Sequence, residues 1–391
     1  MTLRRTLRIL IAADVPDDPN SGAGGTMVQI AAALRRLGHI VDTIWTGDLT
    51  HRIRHGNLRY LIELPWSYHT AVSARTKENS YDVIEVSQPH GWLAAKNHHK
   101  SGRPGVFVNR SHGWEGRATE ALSPWRLKFH EPEWRFPRGA LGRPLRASLA
   151  RYETLAVHHS DGVLTCCSDC AEFVRQRHSV ARERVESVSL GPPGLFLDQA
   201  ALPMTEERLK GILYVGQFAF FKAPQVLAAV FNRLVREQPG VRLTWCCASQ
   251  HHKRVRSLLS EEARFAVNLV GWRGQAELME LYDQNGIFLF PSFFEGFGKA
   301  FIEAMARGLC VVASDTGGMN DVIVDGDNGA LTPIGSVERT LEEVSNLLDR
   351  PDRAARIAAA ARRTALGYNW DRVAEETLDF YWRLLAKQEM V

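Results

Sequence analysis

Two glutamates eight positions apart, Glu295 and Glu303, lie in the stretch Phe290 to Asp315, FPSFFEGFGKAFIEAMARGLCVVASD. At helical rise they are separated by at most roughly 12 Å, about the span of a nucleoside diphosphate sugar. Between them, Gly296, Phe297 and Gly298 leave backbone N–H groups uncovered just where a helix would begin at Lys299. Unpaired donors and the partial positive charge of a helix start favour a phosphate there. One carboxylate could then hold ribose hydroxyls and the other the sugar; the plainer reading is a pair of solvated glutamates.

The elements that must position these groups are legible from periodicity. Gly286 to Pro291 reads as a buried strand ended by Pro291 and Ser292, and Ile302, Met305 and Ala306 carry helical spacing up to a stop at Gly308. Upstream, ILYVGQFAFFKAPQ reads as strand, loop and helix start, with Lys222 placed to neutralise a diphosphate or else simply solvated. Near the amino terminus, residues 7 to 13 form an apolar strand. Gly22, Gly24 and Gly25 then precede Met27, Ile30, Leu34 and Leu37 at helical spacing, which predicts a strand-loop-helix turn that lets backbone approach a ligand, or an ordinary tight turn. Strands at Ile40 to Trp45, Tyr81 to Val86 and Gly105 to Asn109 alternate with helical stretches, as in a doubly wound α/β sheet. His112 and Glu115 follow the last of these strands at its carboxyl end, the edge where open α/β sheets bind ligands.

PSFFEGFG, IEAMARG, VVASDTGGMNDVI and DGDNGAL together resemble the E-x7-E signature of retaining glycosyltransferase family 4, an α/β family with the GT-B fold. The resemblance implies two Rossmann-like doubly wound domains facing each other across a cleft. Residues 1–195 would be the acceptor-side domain, with a terminal helix of about 371–391 packing back onto it, and 196–370 the donor-binding domain. It implies transfer of a hexose, with retention, from a nucleoside diphosphate sugar to an acceptor hydroxyl on a glycan, a lipid-linked carrier or a small molecule, in polysaccharide or glycoconjugate biosynthesis. His112, Lys222 and Glu295 would be catalytic. Gly24, Gly25, Gln217, Lys222, Glu295, Gly296, Phe297, Gly298, Lys299 and Glu303 would hold the donor, with neither metal nor other cofactor required. The chain departs from the pattern at Gln217, where most members carry arginine, at Ala223, where glycine is common, and at Asp321, where glutamate is usual. Those departures motivate an alternative, a sugar-nucleotide binding subunit with impaired catalysis; a nucleotide-sugar epimerase ranks below both.

Composition narrows the class further. The 391 residues suit about two domains, and 45% hydrophobic with 24% charged residues is ordinary for a globular chain. A net charge of +4 falls short of a nucleic-acid argument. The six cysteines show no spaced framework, so reduced thiols in a cytoplasmic protein are the economical reading, although Cys167 and Cys170 are formally C-x-x-C. No apolar run reaches the roughly 18 residues of a membrane span. Residues 123–146 interleave Trp125, Phe129, Trp134 and Phe136 with six basic residues against two acidic ones, a local excess equal to the charge of the whole chain. This is either a solvated insertion broken by Pro and Gly, or a surface for a large acceptor or for peripheral contact with an anionic inner membrane face. Ser168 or Asp169 is placed to cap a helix after the strand DGVLT, Gly191 to Gly194 mark the domain boundary, residues 336 to 366 read as helical, and Asp325 and Asp327 sit in a turn.

Overall fold

A computed structural model describes residues 5–20, 22–54, 56–87, 89–132 and 138–389, without the side chains of residues 57 and 138–144. The chain divides into two compact units, one made of Met1–Val188 with Trp370–Val391 and the other of Ser189–Asn369. Each is built on a six-stranded parallel sheet. In the first unit the strands are β1 (Arg8–Ala12), β2 (Ile40–Ile44), β3 (Val83–Ser87), β4 (Val106–Arg110), β5 (Gly162–Thr165) and β6 (Val185–Ser187), in the spatial order β2-β1-β3-β4-β5-β6. In the second they are β7 (Gly211–Val215), β8 (Arg242–Cys246), β9 (Val267–Val270), β10 (Ile287–Phe290), β11 (Cys310–Ser314) and β12 (Ala330–Thr332), in the order β12-β11-β10-β7-β8-β9. Helices follow most strands and cover the sheets, so central strands such as GILYV and IFLF are buried along their whole length and read as unbroken apolar runs.

The second sheet reverses its winding between β7 and β10, which pair directly through Ile287 with Ile212 and Phe288 with Leu213. The connections leaving β7 and β10 must therefore part to opposite sides, and a crevice opens between them at the carboxyl edge. Residues 216–223 and 291–298 are those two connections.

One strand of the first unit breaks the apolar rule. Glu85, in the middle of β3, is fully buried and accepts a hydrogen bond of 2.8 Å from Nε of Arg110 on the neighbouring β4, itself 2% exposed. The hydroxyl of Tyr381 donates to the other Glu85 oxygen, and Arg110 donates onward to Thr377 at 3.0 Å. Tyr381 and Thr377 belong to the last helix, Trp370–Glu389, so a buried ion pair in the sheet docks the carboxyl-terminal segment onto the first unit. A second contact, Arg36 to Asp371 at 2.6 Å, joins the same helix to Gly22–Arg36.

Several elements differ from the sequence expectation for identifiable reasons. The units divide after Val188 and not at Gly191 to Gly194, because that loop packs on the second unit: a side-chain carbon at Gly191 would lie 2.5 Å from the Tyr368 carbonyl oxygen. Farther on, the Phe196 and Gln199 carbonyls accept from Arg307, which is also clamped by both oxygens of Asp283. The helix before β5 runs from Arg138 to His159, so Gly139, Gly142 and Pro144 sit inside a helix where a break was expected. The stretch expected to be helical from 336 to 366 is two helices, Val337–Asp349 and Pro351–Leu366, separated at Arg350 because the residue before a proline is pushed out of helical geometry. The cap of Ser168–His178 is Cys167, whose sulfur accepts from the Cys170 N–H at 3.5 Å, and not Ser168 or Asp169. Among the described residues no helix is long and apolar enough to cross a membrane.

The buried pair makes a stability prediction. Arg110→Leu strands the Glu85 carboxylate and is expected to cost about 3–5 kcal/mol, against about 1–3 kcal/mol for Tyr381→Phe. Hydrogen exchange checks it: in both variants protection of residues 370–389 should fall while that of the β7–β12 sheet stays unchanged.

Candidate active site

The two connections at the winding reversal of the second sheet are tied together by charge and by backbone. Lys222 leaves the β7 connection and donates from Nζ to Glu295 Oε1, in the β10 connection, at 2.6 Å. Their side chains are only 13% and 6% exposed, so both charges have lost most of their water and each is the other's compensation. Ser292 donates a second hydrogen bond to the same Glu295 oxygen at 2.7 Å, and the ammonium lies 4.6 Å from the centre of the Phe290 ring. Main chain reinforces the pair: the Phe293 N–H donates to the Phe221 carbonyl at 2.8 Å.

The loop then turns into the helix Lys299–Ala306 through Gly298, whose φ of +85° is a left-handed conformation that suits glycine. A side-chain carbon there would also meet the Phe290 ring at 3.1 Å and the Met319 sulfur at 3.2 Å. Phe297 is buried and packs its ring 5.2 Å from that of Phe301, whereas Gly296 and Gly298 remain partly exposed. The turn Thr316–Gly317–Gly318, after β11, supports this loop from the other side. Gly318 N–H donates to the Gly296 carbonyl at 3.0 Å, and any side-chain carbon on Gly317 would fall 2.3 Å from the Glu295 carbonyl oxygen. On the helix, Glu303 is 8% exposed and its Oε2 accepts from the Tyr282 hydroxyl at 3.0 Å. Burial lowers the pKa of Lys299, opposed by the charge of Glu303.

The second unit thus gathers Lys222, Glu295, Gly296, Phe297, Gly298, Lys299 and Glu303 around one helix start. Gln217 lies in the same β7 connection with its side chain exposed, while its carbonyl accepts from the Tyr214 hydroxyl at 3.2 Å. Sequence reasoning missed Ser292 and Tyr282, the two hydroxyls that fix the carboxylates. Ser292, three residues before Glu295, was read only as a strand stop; Tyr282 carried no local signal. Chemically, an ammonium with three donors is not exhausted by one carboxylate, and beside the N–H groups at a helix start it makes a cradle for a phosphate.

His112, Gly24 and Gly25 belong to the first unit. His112 follows β4 and its Nε2 lies 3.1 Å from the sulfur of Met27, on the helix Gly22–Arg36. That helix begins earlier than the spacing suggested. Gly24 and Gly25 are buried in its first turn and not in an open loop, and Gly25 is required because a side-chain carbon would stand 2.5 Å from the Pro19 carbonyl oxygen. His112 also lines a pocket of about 210 Å³ with Trp114, Glu115 and Glu153. Burial pushes the Glu153 carboxyl up to about 7, against the stabilising N–H of Gly116, with Glu115 adding in the same direction.

Residues 203–364 match the protein family described as "Glycosyl transferases group 1". The match takes in most of the second unit. The loop Glu295–Gly298, Lys222 and Glu303 all fall inside the matched segment. Along nearly its whole length the chain is similar to the glycogen synthase of Mycobacterium tuberculosis, at 27% identity over 98% of this chain and 81% of that protein. It is similar also to the α-maltose-1-phosphate synthase of Mycolicibacterium smegmatis, at 23% identity over 96% of this chain and 99% of that protein. In fold it resembles the sucrose-phosphate synthase of Thermosynechococcus elongatus, with a TM-score of 0.75 at 19% identity over 97% of this chain and 100% of the other. The α/β architecture, with one parallel six-stranded sheet in each unit, is that of GT-B glycosyltransferases.

Other candidate chemistry in the sequence has a structural occupation. Among the described residues no group of three or more His, Cys, Asp or Glu is arranged to hold a metal ion, and Asp325 accepts from the Leu331 N–H at 2.9 Å within its turn. All six cysteines are buried and free. Hydrogen bonding with its neighbour Cys166 raises the pKa of Cys167, and bonding with Cys167 raises that of Cys170, the reverse of an activated thiolate.

The raised Glu153 pKa gives a pH prediction. A carboxyl held at about 7 in the folded state and near 4.5 unfolded keeps a proton that unfolding releases, so its contribution to stability falls as pH rises from about 4.5 to 7. Glu153→Gln keeps an acceptor for Gly116 and abolishes that fall. Melting temperatures should show the variant gaining on the parent protein more at pH 8 than at pH 5.

Proposed function

We propose that the protein is a retaining glycosyltransferase that moves a hexose from a nucleoside diphosphate sugar to an acceptor hydroxyl, with the donor held by the second unit and the acceptor by the first. The observation that carries this reading is the buried Lys222–Glu295 pair beside the start of Lys299–Ala306, at the winding reversal of a group 1 domain. In this reaction the bond from the anomeric carbon to the diphosphate oxygen breaks. The acceptor oxygen forms its bond on the same face, and the acceptor proton passes to the departing phosphate. Configuration is retained without the paired-carboxylate spacing of a glycosidase. Negative charge grows on the diphosphate, and Lys222 with the N–H groups of Gly296 to Gly298 meets it. Glu295 orients the sugar, Glu303 binds ribose hydroxyls, and His112 supports the cationic anomeric centre. Gly24 and Gly25 act through backbone at the first turn of their helix.

This reading places the enzyme in the cytoplasm, with the segment around Trp125 as its contact with an anionic membrane face or a large acceptor. Leu127 is 78% exposed there, and Lys128 lies 5.2 Å over the Trp125 ring. Trp134 and Phe136 of the same stretch, like the side chains of Arg138 and Arg143, lie outside the described residues. A second reading, binding of a sugar nucleotide with impaired transfer, is favoured by Gln217, which supplies no cation where the family pattern has arginine.

Lys222→Ala is expected to lower kcat by about 10²- to 10³-fold, the effect of losing one preorganised donor to a developing charge, with a smaller change in KM. Glu303→Gln, which still accepts from Tyr282, should raise the donor KM about tenfold with little change in kcat. NMR of the product reads the anomeric configuration, and an inverted product rejects the mechanism. Calorimetry with UDP-, GDP- and ADP-sugars separates the second reading, since binding with no turnover on any acceptor would favour it.

A further inference from the structure

A wide concavity of the second unit lies away from the carboxyl edge of its sheet. An open groove of about 820 Å³ is lined by Leu202, Arg208, Arg242, Phe265, Asn268 and Gln284, among others. Arg208 precedes β7, Arg242 opens β8, Phe265 and Asn268 flank the start of β9, and Gln284 precedes β10. The groove therefore runs along the amino-terminal edge, separated from the Lys222 and Glu295 connections by the length of the strands, about 13 Å or more.

Its chemistry is specific. Phe265, at the end of the short helix Glu261–Phe265, is 86% exposed, and Leu202 is 53% exposed. Around them stand amide side chains with exposed Asn268 and Gln284. Charge balances across the lining: Arg242 lies 3.9 Å from Glu207, and Asp283 is engaged by Arg307. Arg208 is 6% exposed and gives its terminal nitrogens to the carbonyls of Leu202 and Arg307, yet its Nε–H has no hydrogen-bond acceptor. A buried donor without an acceptor is unfavourable, and burial lowers the pKa of this guanidinium. An exposed aromatic face beside exposed amides, with no net charge across the lining, suits a neutral polyhydroxylated chain better than an anion.

We propose that this groove is a second carbohydrate site that holds a segment of a neutral hexose polymer away from the reacting end. The inference rests on the transferase reading and deepens it by naming an extended glycan as the acceptor or product. Phe265 stacks on a sugar face while Asn268, Gln284 and Arg242 take its hydroxyls. A polymer anchored there raises the effective concentration of its own growing end.

Affinity electrophoresis of the full chain in gels containing glycogen, dextran or yeast mannan tests this directly. The parent protein should be retarded by at least one of them. Phe265→Ala and Asn268→Ala should each weaken that binding about five- to tenfold, while Lys222→Ala migrates like the parent. Both substituted groove side chains are exposed, so the fold is retained, and transfer to a monosaccharide acceptor should be unchanged in them. No retardation of the parent in any gel, equal retardation of Phe265→Ala and parent, or equal loss in Lys222→Ala and Phe265→Ala would each overturn the proposal. So would calorimetric binding of inorganic phosphate that disappears in Arg242→Ala, which marks an anion site. Failure of the transferase reading shows differently, as absence of donor turnover by the parent protein while polysaccharide retardation persists.

Discussion

A desolvated ion pair, Lys222 with Glu295, governs the second unit. Each charge alone at its degree of burial would be costly, and each partner lies on a different connection of the sheet, 73 residues apart in sequence. The pair forms because β7 and β10 are hydrogen-bonded neighbours whose chains leave the sheet in opposite directions. Register between two strands therefore sets the distance between two side chains, and the Phe293 to Phe221 hydrogen bond holds that distance against loop motion. A site made in this way inherits the rigidity of the sheet, which is what the proposed recognition of a phosphate by oriented N–H groups would require.

The glycines around the pair solve a packing problem. Three connections, after β7, β10 and β11, crowd one crevice, and their backbones must touch for the Glu295 loop to be fixed. Gly317 and Gly318 let the third connection reach the carbonyls of Glu295 and Gly296, and Gly298 adopts the left-handed turn that starts the helix. Glycine at these positions thus has two separate causes, close approach and backbone conformation. In the first unit, Gly25 has the first cause alone, since it meets Pro19 from within a regular helix.

How much was legible in the sequence follows from which forces are local. Strands buried on both faces announce themselves as apolar runs, and the Glu295 to Glu303 spacing on a loop and helix is a local pattern, so the architecture and the loop-helix unit carrying both glutamates could be read directly. Lys222 could be placed at a helix start, but its partner could not, because strand order is a long-range property. The Cys167 cap was missed because a sulfur acceptor is a weak stand-in for the usual hydroxyl or carboxylate. The helix from Arg138 was missed because Gly139, Gly142 and Pro144 lower local propensity, which tertiary context overrides. Nothing local marks Glu85, because its partners Arg110 and Tyr381 come from another strand and from the last helix.

Position 217 follows from the same geometry. The β7 connection is held by main chain: the Tyr214 hydroxyl donates to the Gln217 carbonyl, and the Ala219 N–H returns to that same carbonyl at 3.0 Å. The Gln217 side chain is exposed and forms no part of this frame. Glutamine in place of arginine therefore removes a positive charge without reshaping the loop or disturbing Lys222. In the proposed reaction, the diphosphate is then met by one ammonium already shared with Glu295 and by backbone dipoles. Charge at residue 217 can vary independently of the fold, so in the proposed reaction a cation there would change transition-state stabilisation while leaving intact the ion pair on which the crevice depends.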